Sequence, residues 1–156
     1  FTDEVTVIAP GINGKMNEFQ AALGLLQLKH LGHILSRRNA IAGRYNAALS
    51  NIRGIRNVPA PAQSTSNFAY YPILIEPPYP LSRDEVYDRF KQNNIHPRRY
   101  FFPLISNFPM YRGLPSAVPS GLPVATCAAS RVLCLPIYPD LTEDAIERII
   151  QILTNP

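Results

Sequence analysis

Residues 20–28 read QAALGLLQL, apolar almost all round a helical wheel. A helix of that composition leaves no broad polar face for water, so it must be covered on more than one side. The stretch sits inside a longer helical pattern. Phe19, Ala22, Leu23 and Leu26 follow the i, i+3, i+4, i+7 rule, and Leu28, Leu31, Ile34, Leu35, Ile41, Tyr45 and Leu49 continue it. Gly32 and Gly43 are candidate kinks. Asn17, with Gln20 three residues on, has the form of a capping box, which starts the helix there or at Asn13. A chain of 156 residues has the length of one domain and little spare surface to wrap such a helix. A second domain or subunit is expected to supply the cover.

The rest of the chain alternates short elements with proline-punctuated turns. Phe1 to Val7 reads as a strand or extended lead-in. NVPAPAQSTS (57–66) is a turn region, and NFAYYPILIEPP (67–78) alternates aromatic and aliphatic residues like a strand. Ser82 and Glu85 form a second capping box, with Leu81 able to staple onto Val86, so a helix runs to about Asn93. Pro97 and Pro103 keep IHPRRYFFPL extended, and SNFPMYRGLPSAVPSGLP (106–123) is a loop. VATCAASRVLCLPIYP passes from a short helix into a strand, RVLCLPI. Thr142 caps a last helix whose inner face carries Ile146, Ile149, Ile150 and Leu153. The expected architecture is α+β: a long first helix, then a small mixed or antiparallel sheet with helices on one side. Residues 1–56 form an inter-domain or dimer-interface helical segment and residues 57–156 a small domain.

Charged residues make up 17% of the chain, below the usual quarter, while 46% are apolar, as in a chain that hides surface against a partner. The net charge of +4 is spread out. No basic run interleaves with aromatics, which argues against nucleic acid and leaves room for a small anionic ligand. Cys127 and Cys134 read as two buried, reduced thiols of a cytoplasmic protein rather than a disulfide. No leader-like or membrane-length apolar run is seen, so a soluble protein is expected. A first residue of Phe1 rather than Met points to a chain cut or processed at its start.

Two polar clusters stand out. Gly11 and Gly14 flank a turn at a helix start, where exposed N–H groups and the positive dipole end suit a phosphate; Asn13 adds a neutral donor and Lys15 a charge. On residues alone, the simpler reading is that Asn13 serves as a helix cap and the glycines as turn formers. Arg98, Arg99 and Tyr100 form the other cluster; paired guanidiniums suit a diphosphate, and a solvated surface pair is the alternative. His30 and His33 lie three apart on a helix without a third ligand, so no metal site is expected. His96 reads as a surface residue, and Phe68, Tyr70 and Tyr71 as strand core.

Four blocks in register add to this reading. GINGKMNEFQAALGLLQLKHL, RRNAIAGRYNAAL, RRYFFPLISNFPMY and VLCLPIYPDLTEDAIERI together resemble the C-terminal part of the DegT/DnrJ/EryC1/StrS sugar aminotransferases. Ile105 stands where many of those enzymes carry histidine, a pattern closest to members acting on dTDP-keto-6-deoxy sugars of the viosamine type. The resemblance implies the small C-terminal domain of a fold type I pyridoxal-phosphate enzyme, working as a homodimer with shared active sites. It implies transfer of an amino group, from glutamate, to a nucleotide sugar in surface-polysaccharide biosynthesis. Asn13, with Lys15, would then contact the cofactor phosphate, and Arg98, Arg99 and Tyr100 the substrate. The lysine that carries the cofactor lies upstream of the glycine–asparagine block in the family. Lys15, Lys29 and Lys91 are not matched to it, so no catalytic residue is expected here and the chain alone should be inactive. The alternative is a non-catalytic module, from a truncated or split gene, that binds a nucleotide sugar or pairs with another chain.

Overall fold

The computed structural model describes residues 14–156. The expected lead-in strand at Phe1–Val7 and Asn13 lie outside the described residues. The described residues divide into two units, 14–32 and 33–156.

The first unit holds the start of helix α1 (Glu18–Leu49). Its N-terminus is closed by the capping box expected from sequence: Gln20 N donates to Asn17 Oδ1 at 2.9 Å, and Asn17 N donates to Gln20 Oε1 at 3.1 Å. Glu18 in the first turn adds a negative charge where the dipole favours it. Phe19, Leu23, Leu25, Leu26, Leu28 and Leu31 are exposed, Phe19 by 88%. The helix runs on through Gly32 and Gly43.

In the second unit the same helix becomes amphipathic. Ile41, Ala42, Tyr45 and Leu49 are buried, one face of a 3.6-residue period. They pack on a three-stranded antiparallel sheet in the order β1-β2-β3. β2 (Tyr71–Ile75) is the centre, pairing with β1 (Ile55–Asn57) on one side and β3 (Val132–Leu135) on the other. Tyr71, Ile73 and Ile75 alternate inward, and Leu135 and Leu133 sit opposite Tyr71 and Ile73 on the same face. That face joins one core with α1, α2 (Arg83–Gln92) and α4 (Glu143–Thr154), centred on Phe90, Leu133, Ile146 and Leu153. Burying side chains of this size contributes about 2–3 kcal/mol each.

All four residues of β3 are buried, so its second face is covered as well. The short helix α3 (Pro123–Arg131), opened by proline at its first position, lies beside that face near Leu74. Leu104 to Leu122 is a loop carrying three single 3-10 turns. The capping boxes and caps of α2 and α4 form as expected, with Glu85 N on Ser82 Oγ at 3.3 Å and Ala145 N on Thr142 Oγ1 at 3.3 Å.

Strand β1 has no counterpart in the sequence reading. It is only three residues long, and Pro72 explains its end. Val58 N reaches Pro72 O at 3.4 Å, but Pro72 has no N–H to return, so the ladder stops at Asn57. The turn before it needs Gly54, at φ +85°, where a Cβ would lie 2.2 Å from Tyr79 N and 2.4 Å from Glu76 O. The segment IHPRRYFFPL, expected to be extended, contributes a single bridge, Arg98 to Cys134, on the outer edge of β3 and then turns at Tyr100 and Phe101.

Two tyrosines bind α1 to the sheet. Tyr45 Oη donates to Pro136 O at 2.9 Å, Tyr71 Oη donates to Asn46 Oδ1 at 2.6 Å, and the rings meet at 5.0 Å. Burial pushes both phenols up, Tyr71 to about 12. A phenol raised in the folded state leaves stability unchanged below the free value of about 10 and withdraws it as pH climbs toward the folded value. Thermal unfolding of the chain should therefore show a loss of stability between about pH 10 and pH 12. Tyr71→Phe should start about 1 kcal/mol less stable at neutral pH and show a shallower alkaline loss.

Candidate functional site

The segment from His96 to Pro103 carries the polar residues singled out in the sequence. Two backbone hydrogen bonds tie it to the sheet: Arg98 N to Cys134 O at 3.0 Å and Cys134 N to Arg98 O at 2.7 Å. Pro97 is buried beside the bridge, so the chain is held in extended form there. Successive side chains of an extended segment point to opposite sides. Arg98 and Tyr100 line a cleft of about 260 Å³ with Tyr70, His96 and Tyr138. Tyr100 meets Tyr70 edge-on at 5.1 Å and stacks on Phe101 at 5.0 Å, and the Arg98 guanidinium lies 5.8 Å from the Tyr100 ring. Arg98 is exposed and has no carboxylate partner among the described residues. This is a cationic cleft with aromatic walls, able to take an anion joined to a flat or sugar-like group.

Arg99 has a different environment. Its Nη1 donates to Asp84 Oδ1 at 2.8 Å, and its guanidinium stacks 4.3 Å from Tyr87 and 5.2 Å from Phe102. With Arg98 and Tyr100 it lines a second cleft of about 350 Å³, whose other walls include Tyr87, Phe102, Ile105 and Phe108. Asp84 Oδ1 also lies 2.8 Å from Nε of Arg83. Arg83 is 3% exposed, the one buried charged side chain among the described residues. Its Nη1 donates to the carbonyls of Ala129 at 2.9 Å and Val132 at 3.2 Å, and its guanidinium lies 4.5 Å from the Phe102 ring. Partial burial pushes the Asp84 carboxyl up, but the Arg99 hydrogen bond and the adjacent Arg83 cation outweigh it and hold the group below the usual range. Arg98 and Tyr100 thus border both clefts, whereas Arg99 borders only the second, where it is held by Asp84 of α2.

Lys15 is exposed just ahead of the α1 cap, in the first unit. Lys29 and Lys91 are exposed too, Lys91 within 5.6 Å of the Tyr87 ring. His30, His33 and His96 are exposed, and among the described residues no three metal-binding side chains converge. Among the same residues, no helix is long and apolar enough to cross a membrane.

Sequence reasoning missed four polar residues that build the unit, Arg83, Asp84, Arg37 and Arg44. Arg83 and Asp84 look like ordinary first-turn residues of a helix, and only the fold brings them under Phe102 and Arg99. Arg37 reaches across to the loop before α4, donating to Leu141 O at 2.8 Å, Pro139 O at 3.2 Å and Glu143 Oε1 at 3.0 Å. Arg44 takes the other Glu143 oxygen at 2.7 Å. The spacing of Arg37 and Arg44 on one helix face is visible in the sequence, but their acidic partner is about a hundred residues away.

The sequence profile of the DegT/DnrJ/EryC1/StrS aminotransferase family matches residues 1–154. The chain belongs to this family. A dTDP-4-amino-4,6-dideoxy-D-glucose transaminase of Escherichia coli is 50% identical over 97% of the chain, which spans 41% of that protein. One of the same description from Shigella dysenteriae is 41% identical over 96% of the chain, which spans 40% of it. Among solved structures, a DegT/DnrJ/EryC1/StrS aminotransferase from Brucella abortus is similar with a TM-score of 0.75 and 28% identity, over 97% of this chain and 39% of that one. The chain therefore spans about two-fifths of the length of these relatives. Its fold is the α+β domain of a fold type I transferase, as the resemblance implied.

The cysteines need a correction. Both are free, but Cys127 is exposed and only Cys134 is buried. The apolar run around Cys127 is a short helix with one face on the sheet, and Cys127 lies on its exposed side. Burial pushes the Cys134 thiol up as well. A thiol reagent at pH 8 should modify one cysteine per chain rapidly, identified as Cys127 by peptide mass, and reach Cys134 only on unfolding.

Proposed function

We propose that this chain is the substrate-closing part of a pyridoxal-phosphate aminotransferase that places an amino group on carbon 4 of a dTDP-4-keto-6-deoxy sugar. The observation that carries this reading is the 50% identity, over 97% of the chain, to the Escherichia coli transaminase. In this reading glutamate is the amino donor, the enzyme is a cytoplasmic homodimer, and the product serves surface-polysaccharide synthesis. Residues 1–56 are the segment that meets a second domain or subunit, and residues 57–156 are the small domain. The exposed apolar side chains from Phe19 to Leu31 support a partner-facing role for the start of that segment, because an uncovered surface of this extent calls for a partner. Ile41, Tyr45, Leu49 and Ile55 of the same segment pack in the core of the small domain.

The residues fit one end of the cofactor. Lys15 places an exposed cation ahead of the capped N-terminus of a 32-residue helix, a setting that favours a phosphate dianion, and Asn13 precedes it by two residues in the sequence. Its carbonyl end needs an amine in a water-poor pocket. All three lysines of the chain are exposed, which supports an amine supplied by another part of the enzyme. When bound, the cofactor supplies the electron sink that lets an amino group pass from donor to keto sugar. The work assigned to this chain is binding and orientation. Arg98 offers its guanidinium to the diphosphate of the nucleotide sugar, and the Tyr100 ring, braced by Tyr70, offers a flat apolar wall beside it. Arg99, the neighbouring residue, is held on the α2 side by Asp84. Ile105, exposed on the loop, adds apolar surface rather than a polar contact at the neighbouring cleft.

Full-length gene product supplied with pyridoxal phosphate, glutamate and dTDP-4-keto-6-deoxy-glucose should yield the 4-amino sugar, detected by mass. Loss of one charge-assisted contact is worth about 1.5–3 kcal/mol, so Arg98→Gln should raise the KM for the nucleotide sugar roughly ten- to a hundredfold. The KM for glutamate should stay put. Failure to aminate any dTDP-keto sugar would contradict the reading.

A further inference from the structure

The two neighbouring arginines have unequal freedom. Arg98 has no carboxylate within the described residues, whereas Arg99 already holds Asp84 at 2.8 Å and is sandwiched by the rings of Tyr87 and Phe102. Bringing Arg99 onto a substrate would break that ion pair and both stacking contacts. The anchor behind it is rigid. Arg83 is buried, and two carbonyls at the junction of α3 and β3 fix its orientation. Its Nε lies against the same Asp84 oxygen that Arg99 uses, and its flat face lies under Phe102. The first turn of α2 therefore grips the polar segment at two points, residue 99 through Asp84 and residue 102 through the ring of Phe102. The strand bridge at Arg98 grips it at a third.

We propose that Arg83, Asp84 and Arg99 form a positioning clamp, which fixes the 98–102 segment from the α2 side so that Arg98 and Tyr100 face the aromatic cleft. Arg99 acts through Asp84, not by touching substrate. This rests on the reading of the cleft as the nucleotide-sugar site, and it assigns that site's geometry to residues outside it. A guanidinium displaced by about an ångström loses most of its bidentate geometry. Loss of the clamp is therefore read as weaker sugar-nucleotide binding, with the amino-donor half of the reaction unaffected.

The test uses the full-length enzyme and the exposed members of the clamp, since a change at buried Arg83 could prevent folding. Arg99→Gln, Asp84→Asn and the double variant are compared by steady-state kinetics, with folding checked by thermal unfolding. Each single change should raise the KM for the nucleotide sugar roughly tenfold, with kcat and the KM for glutamate within about twofold of wild type. The double variant should fall well short of the product of the two single effects, because both changes break the shared Arg99–Asp84 pair. An unchanged KM in the single variants would overturn the clamp. Multiplying effects in the double variant would overturn it too, by showing that Arg99 contacts substrate independently. Arg98→Gln is measured alongside: if it leaves the KM unchanged, the cleft reading fails and takes the proposal with it, a result distinct from silence at Asp84 and Arg99 alone.

Discussion

The backbone bridge between Arg98 and Cys134 connects the buried part of this chain to its polar surface. β3 is covered on both faces, so its backbone is among the least mobile in the unit. Two hydrogen bonds, of 2.7 and 3.0 Å, pass that rigidity to the segment carrying Arg98, Arg99 and Tyr100. Without them, a stretch bounded by Pro97 and Pro103 would be extended but unanchored, and its alternating side chains would have no defined direction. With them, one arginine is aimed at an aromatic cleft and the next at the first turn of α2. The sheet sets the direction, and α2 confirms it through a buried cation.

Much of the fold was legible because it is encoded locally. Caps declare themselves within four residues, and those at Asn17, Ser82 and Thr142 form as their sequences suggest. The alternation of YPILI and the inner face of α4 depend only on period, and both sit where period puts them. What the sequence concealed is what depends on distant partners. β1 is three residues long because a proline on its neighbour ends the ladder, and no window around Ile55 contains that information. Arg37 and Glu143 find each other across the whole unit. Arg83 is the clearest case: a charged residue at the first position of a helix reads as solvent-facing, yet α3 and Phe102 close over it. Cys127 errs in the opposite direction, as apolar neighbours suggested burial that a one-sided helix does not provide.

The cleft was half legible. Residues 98–100 stood out by composition, and the resemblance to sugar aminotransferases suggested an anionic substrate for them. That the two guanidiniums diverge follows from the extended backbone and from Asp84, neither of which composition reveals. The first unit presents the complementary case. Its helix carries an apolar surface running from Phe19 to Leu31 and a cation at its start. Surfaces of that kind have meaning only against a second body, in keeping with a chain that spans two-fifths of its relatives' length.

The central claim is that this chain binds and orients while the reactive amine resides on another part of the enzyme. The most direct measurement mixes the purified 156-residue chain with pyridoxal phosphate, glutamate and a dTDP-4-keto-6-deoxy sugar, and follows amino-sugar formation by mass. The account predicts no turnover from this chain alone and turnover once the remainder of the gene product is present. Sustained amination by the 156-residue chain unaided would contradict it.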